Sequence, residues 1–379
     1  MGELINIFNQ KRVPLSTKVR NTRKGIYPYY GASNIVDYID DYIFDGEYLL
    51  ISEDGENLNT RNTPIAFIAK GKFWVNNHAH IVKGIETHLT KYLELYFLKL
   101  DISAYITGAV QPKLSKGNLI NIPILISKSK DEQKAIANIL TAFDDKIENL
   151  QAQNKTLEQT AQTIFKEWFG KYQVGDELPE GWRYGKLSDF GRIVTGKTPN
   201  KSKPEYWGYN IPFITPTDFK NFGLYSGITQ RYLSDLGWKK MKSNQILKKS
   251  IMVTCIGSDM GKVCINSKDS VTNQQINSII IENKEQLGYV YEFLKNQYQN
   301  LRSIALGGST MPIINKSDFS NISIPIPTDI IISKYQVIWK SISLKILTNS
   351  EQIQNLKKTR DALLPKLMSG QLRVNEFKA

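Results

Sequence analysis

Apolar positions fall in a 4-3-4-3 rhythm from Ile136 through Leu140, Phe143, Ile147, Leu150, Asn154, Leu157, Ala161 and Ile164 to Trp168, with no proline between them. That spacing keeps one stripe of a helix apolar and predicts a long helix with a heptad seam over residues 131–169. The rhythm returns at Ile342, Ile346, Asn349, Ile353, Leu356, Arg360, Leu363 and Leu367. Each seam carries one asparagine, Asn154 or Asn349, a residue that costs stability inside a seam but can fix its register. Pro365 sits near the end of the second seam and is expected to kink or loosen its last turns.

Elsewhere the pattern is shorter. Tyr48-Leu49-Leu50-Ile51 and Pro64-Ile65-Ala66-Phe67-Ile68 are apolar runs bounded by Gly, Asn and Asp, which predict strands and turns. A helix is expected from Thr90 to Leu100. Ile251-Met252-Val253-Thr254-Cys255-Ile256 and Ser278-Ile279-Ile280-Ile281 repeat this plan, with a helix from Gln286 to Gln297. The expected class is therefore α+β. Two similar mixed α/β heads, residues 1–128 and 173–328, are joined by two long helices, residues 129–172 and 329–379. The helices form an antiparallel coiled coil, and the whole carries an internal pseudo-two-fold repeat.

The repeat is visible in the letters. Gly108-Ala109-Val110-Gln111-Pro112-Lys113-Leu114 is answered by Gly308-Ser309-Thr310-Met311-Pro312-Ile313-Ile314, and Asn121-Ile122 by Asn321-Ile322. The exits correspond too, Lys171-Tyr172-Gln173-Val174 against Gln371-Leu372-Arg373-Val374. A period this long is a duplicated module, not a solenoid unit. The ends of a compact domain usually lie close together, so the second helix should run back beside the first and its tail should return to the first head. A helix of roughly 37 residues measures about 55 Å.

Charge narrows the partners. The chain of 379 residues carries a net +13 and Tyr-rich segments, which point to a polyanion, nucleic acid first. Cys255 and Cys264 have no nearby His partners, so buried free thiols in a reducing cytosol are expected rather than a zinc site. No apolar run approaches membrane-spanning length, and a cytoplasmic protein is expected.

Catalytic motifs are thin. Gly191-Arg192-Ile193-Val194-Thr195-Gly196-Lys197-Thr198 matches the phosphate-loop letters, but Pro199 and Pro204 follow where a helix should begin. His78 and His80 lack a third ligand, and His88 stands apart. Asp269 with Glu282-Asn283-Lys284 only loosely resembles a nuclease pattern. No catalytic or metal set is expected.

Base edges are read by Arg or Lys on guanine and by Asn or Gln on adenine. The first head offers Lys11, Arg12, Lys18, Arg20, Arg23 and Lys24, then Tyr29 and Tyr30, and the run Asn76-Asn77-His78. The second offers Thr195, Lys197, Thr198, Lys201, Lys203, Thr215, Thr217 and Asp218, and the run Asn273-Gln274-Gln275. The two amide runs follow Val75 and Val271 at matching places. A competing account is that these amides satisfy backbone groups at strand ends.

Taken in order, these features resemble the specificity (S) subunit of type I restriction–modification systems. Thr359-Arg360-Asp361-Ala362-Leu363-Leu364-Pro365-Lys366-Leu367-Met368-Ser369-Gly370 looks like that family's closing segment. Leu178-Pro179-Glu180-Gly181-Trp182, Lys186-Leu187-Ser188-Asp189-Phe190 and Thr195-Gly196-Lys197-Thr198-Pro199 look like the opening of its target-recognition domain. Ile26-Tyr27-Pro28-Tyr29-Tyr30-Gly31-Ala32-Ser33 and Asp45-Gly46-Glu47-Tyr48-Leu49-Leu50-Ile51 look like motifs inside one such domain. The resemblance implies a non-catalytic subunit whose two heads each read half of a bipartite double-stranded DNA target. It implies helices that set the unread spacer and dock two methyltransferase subunits, with motor-nuclease subunits completing the enzyme. S-adenosylmethionine, ATP and Mg would then sit on the partners, with no cofactor on this chain. One departure is visible: Met1-Gly2-Glu3-Leu4 corresponds to Leu187-Ser188-Asp189-Phe190, so the first head lacks a counterpart of Leu178–Trp182. The returning tail is a candidate to supply that packing. The rival class is a stand-alone nuclease or NTPase acting through Gly191–Thr198.

Overall fold

The computed structural model describes residues 1–108, 110–172, 175–257, 260–297 and 313–374. It divides into two compact units, Met1–Glu148 with Gln354–Ala379, and Asn149–Ile353.

The first unit is built on six strands, β1 (Ile5–Ile7), β2 (Lys24–Tyr30), β3 (Ile35–Ile39), β4 (Phe44–Ser52), β5 (Ala66–Val75) and β6 (Ala79–Gly84). They form one sheet in the order β1-β6-β4-β5-β2-β3. Only β2 and β5 run parallel, with Tyr29 opposite Trp74 and Tyr30 opposite Val75. Successive residues of a strand face opposite sides, and β4 uses both. Leu49 and Ile51 enter a cluster with Val82, Leu93 and Phe97, whereas Leu50 joins Phe44, Phe73 and Ile81 on the other face. Helices α1 (Thr17–Thr22), α2 (Asn57–Thr60), α3 (Thr87–Phe97) and α4 (Lys116–Asn121) complete the head. α3 begins three residues before the expected start.

The long helix α5 (Lys130–Phe169) follows without a break. Its first half belongs to the first unit, its second half to the second.

The second unit has β7 (Arg183–Lys186), β8 (Gly191–Thr195), β9 (Trp207–Gly208), β10 (Ile211–Ile214) and β11 (Arg231–Leu233). Helix α6 (Asp235–Lys240) leads to β12 (Gln245–Ile246), β13 (Ile251–Thr254), β14 (Val263–Ile265), β15 (Ser270–Thr272) and β16 (Ile276–Ile281). Then come α7 (Leu287–Asn296), α8 (Lys316–Ser320), β17 (Ser323–Ile326) and the second long helix, α9 (Asp329–Met368). Among the described residues three sheets result: β14-β13-β16-β8, β12-β15-β10-β11-β9, and β17-β7. The continuous β5 of the first unit pairs with both β4 and β2. Its work here is divided, β14 pairing with β13 and β15 with β10. Asn266 makes the break. Its buried amide bonds the Ser250 N–H at 2.7 Å and the Lys268 carbonyl at 2.8 Å, and so turns the chain between β14 and β15.

Within each unit the helices pack antiparallel. In the first unit Ile136 and Leu140 meet Leu364 and Leu367, with Tyr92 and Leu95 of α3 alongside. Arg360, the seam's charged position, pairs with Asp144 at 2.6 Å, and Lys91 reaches the same carboxylate at 3.1 Å. In the second unit Phe165 and Phe169 pack tilted or edge-on against Tyr289 and Tyr335. The α9 seam begins earlier than the sequence pattern suggested, because Ile332, Tyr335 and Trp339 continue its spacing and are all buried. On α5 the buried ring pair is Phe165 and Phe169, while the expected Ile164 and Trp168 are half-buried beside it. The helix passes through Pro365 and ends three residues later at Met368, a proline there removing a single backbone bond.

Two details bear on the tails. Leu372 and Val374 pack on the cluster containing Ile136 and Leu140, and Arg373 pairs with Glu132 at 2.6 Å. The amino group of Met1 donates to the Ile122 carbonyl at 2.8 Å, as the Leu187 N–H does to Ile322 at 2.9 Å. The correspondence of Met1 with Leu187 is thus also one of hydrogen bonding.

α7 packs on α9 through a buried acid. Trp339 Nε1 donates to Glu292 Oε1 at 3.2 Å, while Glu292 Oε2 and the Tyr335 hydroxyl find no hydrogen-bond partner among the described residues. Burial pushes the Glu292 carboxyl up to about 7. Gly288 lies so close to Trp339 that a Cβ would stand 2.5 Å from its ring.

Candidate nucleic-acid interface

Strand register gives the residue-by-residue correspondence between the units. β6 and β16 each follow a three-residue turn and pair antiparallel with two neighbours, β1 and β4 in one unit, β8 and β13 in the other. Ala79 then matches Ile276, His80 matches Asn277, and Ile51 matches Val253.

A buried polar bridge occupies the matching place in both. His80 is fully buried, with Nε2 2.7 Å from the Leu114 carbonyl and Nδ1 2.8 Å from Asn9 Nδ2. Asn9 Oδ1 accepts from the Ile81 N–H, so its Nδ2 must be the donor to His80. His80 Nδ1 therefore accepts and Nε2 carries the proton, which makes the ring neutral. Burial holds it below its ordinary value of 6.5. In the second unit Asn277 Nδ2 donates to the Ile314 carbonyl at 3.0 Å and its Oδ1 accepts from Thr195 Oγ1 at 2.6 Å. Leu114 and Ile314 are the last residues of the repeated heptapeptide seen in the sequence. Residues 308–312 of the second copy, and Ala109 of the first, lie outside the described residues. These bridging side chains were not singled out as a pair in the sequence, because histidine and asparagine share no letter and the bridge depends on register.

Around each bridge the loops converge at one end of the sheet. The Asn76–His78 turn joins β5 to β6, and the Asn273–Gln275 turn joins β15 to β16. In the first unit Arg12 reaches Glu53 at 2.5 Å, the Ala79 carbonyl at 2.9 Å and the Asn77 carbonyl at 3.2 Å. His78 Nδ1 meets Asp54 at 2.8 Å. In the second unit the Gly196 N–H donates to the Ile276 carbonyl at 3.1 Å, the bond whose place Arg12 takes at Ala79. Thr198 Oγ1 donates to Gln274 Oε1 at 2.9 Å.

Several expected contact residues belong to the interior instead. Tyr29 is buried and its hydroxyl receives the Leu15 N–H at 2.9 Å. Asp218 is buried, with Oδ2 held by the Thr215 N–H and hydroxyl and Oδ1 by the Gln230 N–H. Asn273 is buried and bonded to Gln275 through both ends of its amide. Their polar atoms are spent on the fold, so they are corrected from contact to scaffold residues. Arg20 and Lys24 share Asp37, and Arg23 pairs with Asp40 while lying over Trp74. Arg12 is committed as described. Tyr30 packs on Phe67 and Phe73. Asn76 closes its turn, and Thr195 and Thr215 are bound as described. Lys203 lies 3.7 Å from Glu205. The groups left exposed are Lys11, Lys18, Asn77, His78, Lys197, Lys201, Thr217 and Gln274, while Thr198 and Gln275 are half-buried.

The phosphate-loop letters do not make a phosphate loop. β8 ends at Thr195, no helix follows before the 3₁₀ turn Pro204–Tyr206, and the N–H groups of Gly196 and Lys197 are taken by Ile276 and Thr272 carbonyls. A phosphate cradle needs those groups free. Of the nuclease-like letters, Asp269 caps the Lys248 N–H and Lys284 Nζ reaches the Ile281 carbonyl. Cys255 and Cys264 are buried and free, and burial pushes the Cys255 thiol up to about 12.

A family model described as the type I restriction modification DNA specificity domain matches residues 1–159 and 179–362. The type I restriction enzyme HindI specificity subunit of Haemophilus influenzae is 30% identical, over 86% of this chain and 84% of that protein. The MjaIX specificity subunit of Methanocaldococcus jannaschii is 28% identical, over 96% and 90%. In fold, the crystal structure of the type I restriction–modification S subunit from M. genitalium superposes with a TM-score of 0.63 at 16% identity, covering 97% of this chain and 94% of that one.

Proposed function

The chain belongs to the type I restriction–modification DNA specificity family, and from that premise we propose how its parts divide the work. It is a specificity subunit, acting on DNA within a type I complex. Residues 1–128 and 173–328 each read one half of a bipartite target. The helical stretches 129–172 and 329–379 fix the unread spacer. The observation that supports this division is the polar bridge built twice, His80 to Leu114 and Asn277 to Ile314, which fixes the same loops at the same sheet end in both units. Basic side chains there position the phosphate backbone, and exposed polar groups read base edges.

The chain itself carries no chemistry. Two methyltransferase subunits supply S-adenosylmethionine and the methyl transfer, and motor-nuclease subunits supply ATP, Mg and cleavage, all in the cytoplasm. The methyltransferase docks on the outer face of α9. There Ile330, Val337 and Leu344 recur every seven residues and are exposed, Val337 at 66%. Apolar side chains at that spacing on a helix already paired along its other face suit a second helical partner. Among the described residues no helix is long and apolar enough to cross a membrane.

The test is a genome-wide map of methylated adenine with and without this gene. A bipartite methylated sequence should vanish with the gene. Methylation or cleavage by the purified chain alone, given DNA, Mg, ATP and methyl donor, would defeat the non-catalytic reading.

A further inference from the structure

The three-residue turn at the reading end, between β5 and β6 in one unit and between β15 and β16 in the other, is one device made twice. In the first unit the Asn76 N–H donates to the Tyr30 carbonyl at 3.0 Å, and Asn76 Oδ1 accepts from the His78 N–H at 2.8 Å. The Glu53 N–H then takes the His78 carbonyl at 2.9 Å. In the second unit Asn273 donates to the Ile214 carbonyl at 3.0 Å, Asn273 Oδ1 accepts from the Gln275 N–H at 3.1 Å, and the Cys255 N–H takes the Gln275 carbonyl at 2.8 Å. The first and third residues of each turn are consumed by these bonds. The middle residue is not. Asn77 and Gln274 are exposed, and neither side chain is needed to close its turn.

Nothing in the turn dictates an amide at that middle place, yet both units carry one. An amide presents a donor and an acceptor side by side, which matches N7 and the N6 amino group of adenine in the major groove; a phosphate offers acceptors only. The two tips are also steadied. Arg12 holds the Asn77 carbonyl at 3.2 Å, and Thr198 donates to Gln274 Oε1 at 2.9 Å, leaving one lone pair of that oxygen and the whole NH₂ group for a base.

We propose that Asn77 and Gln274 are the matched base-reading amides of the two units, each hydrogen-bonding the edge of one adenine in its own half of the target. The proposal rests on the specificity-subunit reading above.

The experiment is to express the full chain with its methyltransferase partner and sequence methylated adenine for wild type, Asn77→Ala and Gln274→Ala. Each variant should relax one adenine position in one half-site, the two variants in different halves, with discrimination there falling about 5- to 150-fold. Asn77→Arg should move the preference at that same position from adenine towards guanine, a gain that an unfolded variant cannot give. An unchanged methylated sequence overturns the proposal. So does an even loss of methylation at every site, which marks a phosphate contact, or relaxation at a position that is not adenine. A wild-type complex that methylates no bipartite sequence defeats the specificity-subunit reading itself.

Discussion

Asn349 Nδ2 donates to Asn154 Oδ1 at 2.9 Å, so the single asparagine in each heptad seam is the other's partner. Asn349 is fully buried, and Asn154 passes the chain on to Ser350 Oγ at 3.2 Å. Sliding one helix by a heptad would set each amide against aliphatic side chains and leave both unsatisfied. The pair therefore selects register at some cost in stability.

Asn349→Leu should destabilise the second unit by about 1–3 kcal/mol, because Asn154 loses its partner inside the seam. The double change Asn154→Leu with Asn349→Leu should recover most of that loss, since no seam amide is left unpaired and exposed Gln153 can turn to water. Thermal unfolding of the wild type, both single variants and the double variant checks this. If the losses simply added, the two residues would not be coupled.

Acid and base should act on the two units with opposite sign. His80 is held neutral below its ordinary 6.5, so the unfolded chain binds the proton more readily and stability falls as pH drops below about 6.5. His80→Asn, which installs the residue of the other unit, should remove that contribution. Glu292 titrates at about 7 against an ordinary 4.5, so the folded state binds the proton more readily and stability falls as pH rises from 4.5 to 7. Glu292→Gln should gain on the wild type by an amount on the order of 3 kcal/mol across that range. Unfolding midpoints from pH 4.5 to 8, taken as variant minus wild type, separate the two. Parallel curves for either variant would remove that residue from the account.

How much of this was written in the letters depends on distance along the chain. The heptad seams were readable because their signal is local and periodic, as were the two heads and their repeat. Which seam residue meets which was not, because Asn154 and Asn349 are brought together only by the packed helices. The early start of the α9 seam was missed because Tyr335 and Trp339 are aromatic and flanked by polar Gln336. The polar and basic candidates could be named from the letters, but not which of them stay free of the fold. Tyr29, Asp218 and Asn273 have the right letters and spend their polar atoms inside the fold. That commitment is a matter of three-dimensional partners, which composition and spacing do not carry.

The exposed stripe on α9 gives a binding prediction separate from folding. Val337→Glu or Leu344→Glu changes a side chain already open to solvent, so unfolding temperature should stay within the small range usual for surface changes. A carboxylate buried at a helix interface is costly, so methyltransferase co-purification should fall at least tenfold. Ile147→Asp is the contrasting change. Ile147 is buried, and that variant should lose stability by several kcal/mol. Undiminished capture of the methyltransferase by both glutamate variants would place its docking face elsewhere.

The final expectation concerns separability of the two halves. Each unit has its own apolar clusters and its own copy of the polar bridge and of the three-residue turn. Replacing residues 173–328 with the matching stretch of a relative leaves the first head, Asn77 and the Asn154–Asn349 pair in place. The methylated sequence should then change in one half alone, with the other half and the spacer length unaltered. Sequencing of methylated adenine in cells carrying the chimaera and its methyltransferase measures this directly. A change in both halves, or in the spacer alone, would mean that base readout is shared between the units and that the two-reader account is wrong.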